Sequence, residues 1–347
     1  FRSQRFFFKW LGIKSSEEDE MRIFLAGATG AIGKRLLPML VSAGHTVTAT
    51  TQHPDKMRSI DSAGATPVLV NALDKEGVLA AVEKAHPEII IHQLTAIPDN
   101  LNLRHFDQGF HVTNRLRTEG TDYLLAAARA VGTRRFIAQS YAGWYARTGD
   151  WTKAEDDPLI CSGISDGRKT LDATIHVETA VFTEKAMESF VLRYGSFYGP
   201  GTSLAPGAWF LEGIRQRRVP IVGEGSGHWS FIHIDDAAAA TLAAINASTP
   251  GLYNITDDEP APVSAWLPYL AEVLGAKAPR RVPKWLARFA VGEYGVAVMT
   301  KLRGASNRKA KSLLPWTLKW PTWRQGFKNG LENQVRPISN EVTRAVA

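Results

Sequence analysis

The stretch "MRIFLAGATGAIG", residues 21–33, constrains the fold more than any other part of the sequence. A short apolar run ends in a turn with glycine at positions 27, 30 and 33, and the helical pattern "AIGKRLLPMLVSAG" follows directly. Glycine meets three demands there: a tight turn, close approach of backbone to a pyrophosphate, and close packing of helix on sheet. The unpaired N–H groups at the helix start then point towards the phosphates. Strand, glycine turn and helix in this order are expected to bind a dinucleotide, with Gly27, Thr29, Gly30, Ala31, Ile32 and Gly33 forming the cradle.

The same rhythm continues to about Tyr194. "HTVTATT", "TPVLV", "EIIIHQL", "RRFIAQS" and "FVLRYGS" read as strands, and helices are expected over "DKEGVLAAVEKA", about 112–131 and about 171–189. Such alternation predicts an α/β fold, a doubly wound parallel Rossmann-type sheet with ligands at the carboxyl ends of its strands. After Tyr194 the glycine- and proline-rich "GSFYGPGTSLAPG" breaks the rhythm, and mostly helical segments follow. Three parts are expected. Residues 1–20 read as a disordered extension, 21–195 as the dinucleotide-binding domain, and 196–347 as a smaller substrate lobe interleaved with it.

Composition narrows the function classes. A single cysteine, Cys161, leaves no internal disulfide and fits a reducing compartment, so a cytoplasmic location is expected. No apolar run approaches the roughly 20 residues of a membrane-spanning helix. The net charge is +7, and between Lys277 and Lys311 ten Lys or Arg residues face one acid, Glu293. That segment reads as a solvated helix surface or as a rim that attracts an anionic ligand. Without zinc-finger spacing or an RNA-binding signature, nucleic acid is not an expected partner. His228 and His233 fall on opposite faces of a strand, and no metal site is expected.

Further landmarks follow the glycine turn in order: "IIHQLTA", "EGTDYLLAAARAVGTRRFIAQS", "VLRYGSFYGPG", "FIHIDDAA" and "LYNITDDEP". Together they resemble the extended and atypical short-chain dehydrogenase/reductases, the NAD-dependent epimerase/dehydratase family, over about residues 21–331. The resemblance implies that Leu94, Thr95 and Ala96 lie near the cofactor ribose, Ala72 and Leu73 near adenine, and Tyr194 near nicotinamide. It also implies a homodimer through a bundle of the helices at about 112–131 and 171–189. An NAD enzyme usually carries Asp or Glu at the end of the second strand. "TATTQHPDK" instead places Thr51, Gln52 and His53 there, with Lys56 close by. These residues can donate to a 2′-phosphate, so NADP is expected over NAD.

Family chemistry uses a hydroxyl together with a Tyr-x-x-x-Lys pair on one helical face. The corresponding helix here reads "RKTLDATIHVETAVF". With Glu178 matched to the family's glutamate, Thr174 stands in the lysine position and Thr170 in the tyrosine position. In "FIAQSYAGWYA" Tyr141 takes the place of the catalytic serine, with Ser140 before it and Tyr145 after. Tyr141 is the expected proton donor, Ser140 its assistant and Tyr145 a second candidate; the bland reading makes both tyrosines packing residues. Trp229 stands where sugar-nucleotide epimerases grip a diphosphate with arginine, and an indole offers no such charged fork. With Trp144, Phe197, Tyr198, Trp209 and Phe210, it points to a small, largely apolar carbonyl or alcohol substrate. An NAD(P)-dependent oxidoreductase is expected. The alternatives are an epimerase working by transient hydride transfer and a non-catalytic dinucleotide sensor.

Overall fold

The computed structural model describes residues 20–161 and 166–332. Nearly all of the N-terminal extension therefore lies outside the described residues. Seven strands form one sheet: β1 (Arg22–Ala26), β2 (Thr46–Thr51), β3 (Thr66–Leu69), β4 (Ile89–His92), β5 (Arg135–Tyr141), β6 (Glu188–Tyr194) and β7 (Gly251–Ile255). All pairings are parallel, in the order β7-β6-β5-β4-β1-β2-β3. Helices cover both faces, which is why β4 and the first four residues of β5 are buried throughout. The order reverses between β1 and β4, so a crevice opens at their carboxyl ends.

Helix α1 (Gly33–Ser42) packs Leu36, Leu37 and Leu40 on the sheet directly after the glycine turn. α2 (Lys75–Ala85) covers the opposite face with α3 (Thr121–Val131). The helix expected from 112 is interrupted: a π turn, Leu116–Gly120, separates His111–Arg115 from α3. α4 runs Arg168–Thr183 and stops short of the expected 189, because "ESFVLRY" is needed as the buried strand β6. Its first turn is capped by Asp107, whose carboxylate accepts from the backbone N–H groups of Lys169 and Thr170 at 3.1 and 2.9 Å.

The chain beyond residue 196 returns to the sheet. α5 (Ile234–Asn246) packs under it and β7 extends its edge, while Trp266, Trp323, Phe231 and Phe327 centre a second core. A buried polar network joins β5, β6, β7 and α4. Arg193 on β6 donates two bonds to Glu178 on α4, at 2.7 and 2.6 Å. Among the described residues no helix is long and apolar enough to cross a membrane.

Candidate active site

The glycine turn lies at the mouth of the crevice. Gly27 has φ +95°, and a Cβ there would come within 2.6 Å of the Gln93 carbonyl oxygen. A Cβ on Gly33 would lie 2.2 Å from the Gly27 carbonyl oxygen. Gly30 is different: it is exposed, and its Cβ would meet only that same oxygen, at 3.4 Å. Two glycines thus shape the turn, and the third leaves backbone bare where a phosphate can approach. The amides of Ala31, Ile32 and Gly33 donate to no backbone acceptor among the described residues, and they open α1. Unspent donors and the helix dipole favour an anion at this point, so the residues present fit a dinucleotide pyrophosphate.

The other residues named for the cofactor follow the carboxyl edge of the sheet. Thr51 ends β2, with its hydroxyl 3.4 Å from that of Thr29, and it accepts from the His53 N–H at 3.1 Å. Gln52 and His53 are exposed, Lys56 is half-buried, and β2 ends without a carboxylate. Ala72 and Leu73 are half-buried beyond β3. Leu94, Thr95 and Ala96 continue past β4. The Leu94 carbonyl accepts from Gln139 at 3.1 Å, and the Ala96 N–H donates to Thr113 at 3.0 Å.

Among the hydroxyls expected at the reacting end, the structure separates one from the rest. Ser140 is buried and donates to Glu178 at 2.6 Å. Tyr145 is buried, donates to Asn254 at 2.7 Å and accepts from Arg193 at 2.9 Å. Both were expected to face the cleft; both are held inside the network around the Arg193–Glu178 pair, where a buried charge needs every available partner. Tyr194 is likewise buried beneath the strand ends. Its hydroxyl lies 2.7 Å from that of Thr241 and accepts from Gln93 at 3.2 Å, and burial pushes its pKa up to about 12.

Tyr141 is not held in that network. It is half-buried at the end of β5 and lies edge-on to Trp144 at 6.3 Å. Its ring lies across Gly143, where a Cβ would sit 2.2 Å from its Cε1. Burial raises the phenol's pKa, and the neighbouring Ser196 and the Arg117 charge oppose this only in part. At neutral pH it is therefore a protonated donor. It packs against an aromatic cluster: Phe106 stacks on Tyr294 at 4.0 Å and on Phe110 at 4.5 Å, and Trp144 lies 5.8 Å from Tyr294. Tyr294 belongs to α6 (Lys284–Thr300), which kinks at Gly292, φ +70°.

On the helix that normally carries tyrosine and lysine, Thr170 and Thr174 are buried. The Thr170 hydroxyl donates to Asp107 at 2.7 Å, and that of Thr174 to the Thr170 carbonyl at 2.8 Å. Lys169 is exposed. Trp229 packs on Trp266 at 5.0 Å and donates to the Val298 carbonyl at 3.2 Å. Of the other aromatics singled out in the sequence, only Trp144 joins Tyr141. Phe197 lies tilted against Tyr194, Tyr198 is core, Phe210 packs against the second core, and Trp209 is 44% exposed.

A model of the NAD dependent epimerase/dehydratase family matches residues 23–256. The chain belongs to that family. It is 40% identical over 310 residues to a 3-diazoavenalumate denitrifying reductase from Streptomyces sp, covering 88% of this chain and 99% of that protein. It is 26% identical to a 2-alkyl-3-oxoalkanoate reductase from Stenotrophomonas maltophilia, over 74% of this chain and 76% of the relative. In fold it is similar to the UDP-glucose 4-epimerase of Thermotoga maritima, with a TM-score of 0.71 at 21% identity, over 90% of this chain and 97% of that one. It is thus an NAD(P)-dependent oxidoreductase of the epimerase/dehydratase family.

One residue of this site was absent from the sequence expectations. Arg117 lies in the π turn with its guanidinium 5.8 Å from the Phe110 ring, and it is 8% exposed. A signal was present: Thr113, Arg117, Thr121, Leu124 and Ala128 all fall on the buried stripe of one helical path. A charge on such a stripe is the informative exception.

Proposed function

We propose that the protein transfers hydride from a reduced nicotinamide to a small, largely apolar aromatic electrophile, with a carbonyl compound as the leading substrate class and Tyr141 at the reacting edge. The carrying observation is the position of Tyr141: a protonated phenol at the end of β5, packed against an aromatic cluster and beside the strand ends that hold the cofactor. A bound nicotinamide would supply the hydride. Tyr141 donates a hydrogen bond, then a proton, to the substrate oxygen as negative charge develops there. Thr51, Gln52, His53 and Lys56, with no carboxylate at the end of β2, favour NADP over NAD.

A second reading has its own support in the absent tyrosine-lysine pair and in the diazo substrate for which the Streptomyces relative is named. When hydride adds to the carbon of an aryl diazonium group, the C–N bond breaks and its electrons leave with dinitrogen. No proton is required. A site that has lost the family's proton relay is suited to that reaction.

NADPH titration followed by turnover with an aromatic aldehyde, an aromatic ketone and a benzenediazonium salt tests both readings. NADPH is expected to bind more tightly than NADH. Tyr141→Phe should lower carbonyl turnover about tenfold or more with NADPH affinity unchanged. Wild-type carbonyl turnover in that variant removes Tyr141 from the mechanism. Diazonium reduction that survives the same substitution identifies the proton-independent reaction.

A further inference from the structure

Arg117 has no task in the reading above. It is the second residue of the π turn Leu116–Gly120, and such turns recur at functional positions. Its guanidinium is turned inward over the Phe110 ring at 5.8 Å, no described residue forms an ion pair with it or accepts a hydrogen bond from it, and Nη1 is fully buried without a partner. A buried cation with a nitrogen left unpartnered is costly, and a fold retains one where a ligand completes it. Burial lowers its pKa to about 10, which leaves it charged at neutral pH.

The surroundings show what such a ligand would be. Tyr141 and Tyr294 both lie within the field of the guanidinium, which acts to lower each phenol's pKa. His92 does not compete as a second cation, since burial and then Arg117 hold its pKa down at about 4. Tyr294 also walls an outer cleft of about 350 Å³, where Arg147, Lys284, Arg288 and Lys301 outnumber Asp166 and Glu293. Three of those four cations come from the basic segment between Lys277 and Lys311. A rim of this sign gathers anions, and the aromatic cluster behind it suits a ring.

We infer that Arg117 anchors an oxyanion carried by an aromatic substrate, a carboxylate or a phenolate, in front of Tyr141, and thereby determines which substrates the cleft accepts. The inference rests on the proposed assignment of this cleft to the substrate. A planar guanidinium offers a carboxylate two parallel hydrogen bonds, and a phenolate one or two. The cofactor's phosphates have their own donors at the start of α1, on the far side of β4.

Calorimetric titration of the whole protein with cinnamate against cinnamamide, and with 4-nitrophenolate against 4-nitroanisole, tests it. The wild type is expected to prefer at least one anion to its neutral partner by about tenfold or more. The pair that shows the preference distinguishes carboxylate from phenolate. Arg117→Met should abolish the preference, and Arg117→Lys should restore part of it. NADPH affinity unchanged in both variants shows that they are folded and that the guanidinium does not serve the cofactor. Arg117→Gln replaces the methionine variant should that one fail to fold.

Equal binding of charged and neutral partners by the wild type overturns the inference. So does a preference that survives removal of the charge, or a loss confined to NADPH affinity. Binding and turnover separate this inference from the hydride-transfer reading. A protein that discriminates the anions yet oxidises NADPH with no substrate keeps the anchor and loses the reaction, and the converse pattern keeps the reaction and loses the anchor.

Discussion

Glu178→Ala is expected to lower the free energy of unfolding by about 3–5 kcal/mol, because it strands a buried arginine. Arg193 and Glu178 are both nine-tenths buried and meet through two hydrogen bonds, at 2.7 and 2.6 Å. Burial alone would lower the Arg193 pKa; the Glu178 bonds and charge outweigh it and hold the guanidinium above its ordinary value. Removing the carboxylate leaves that cation with Tyr145 and the Glu155 carbonyl as its remaining partners. Ser140 loses its acceptor in the same step. Glu178→Gln keeps an acceptor for both and should cost less. Urea unfolding of the two variants checks the ranking, and a loss below about 1 kcal/mol for the alanine variant would show that water reaches Arg193.

That network also explains where the sequence was legible and where it was not. The turn at Gly27 and the strands follow from local patterns: apolar runs, helical periodicity, and glycine where a Cβ cannot fit. These depend on neighbours in the chain. The fate of a hydroxyl does not. Ser140, Tyr141 and Tyr145 are within six residues of one another, and nothing in "SYAGWY" shows that two are claimed by partners as distant as Glu178 and Asn254. Tyr141 is free of both because its ring lies across Gly143, where no Cβ stands in the way. Arg117 was missed for a related reason. It sits among the polar residues of "NRLRTEG", and only the helical spacing from Thr113 through Thr121 to Leu124 and Ala128 marks it as inward-facing.

The same contrast between local and distant constraints sets the last expectation, that Gly33→Ala weakens NADPH binding by about a hundredfold or more. Its Cβ would stand 2.2 Å from the Gly27 carbonyl oxygen and 2.7 Å from Ala28 backbone atoms. Neither contact is a flexible side chain, so the turn itself has to shift. Overpacking that backbone must absorb costs about 3 kcal/mol at the upper end of its usual range, and 1.4 kcal/mol is tenfold in affinity. The shift falls on the amides of Ala31, Ile32 and Gly33, the donors proposed for the phosphates, which make no backbone hydrogen bond of their own among the described residues. The sheet need not melt for that to fail, since Leu36, Leu37 and Leu40 still anchor α1. Gly30→Ala is the informative companion. Its Cβ meets no protein atom closer than 3.4 Å, so the variant should fold with wild-type stability and still bind NADPH more weakly, through the ligand's side of the turn alone. Thermal melting with NADPH titration of both variants decides it: equal affinity in Gly30→Ala and the wild type would move the pyrophosphate away from this turn.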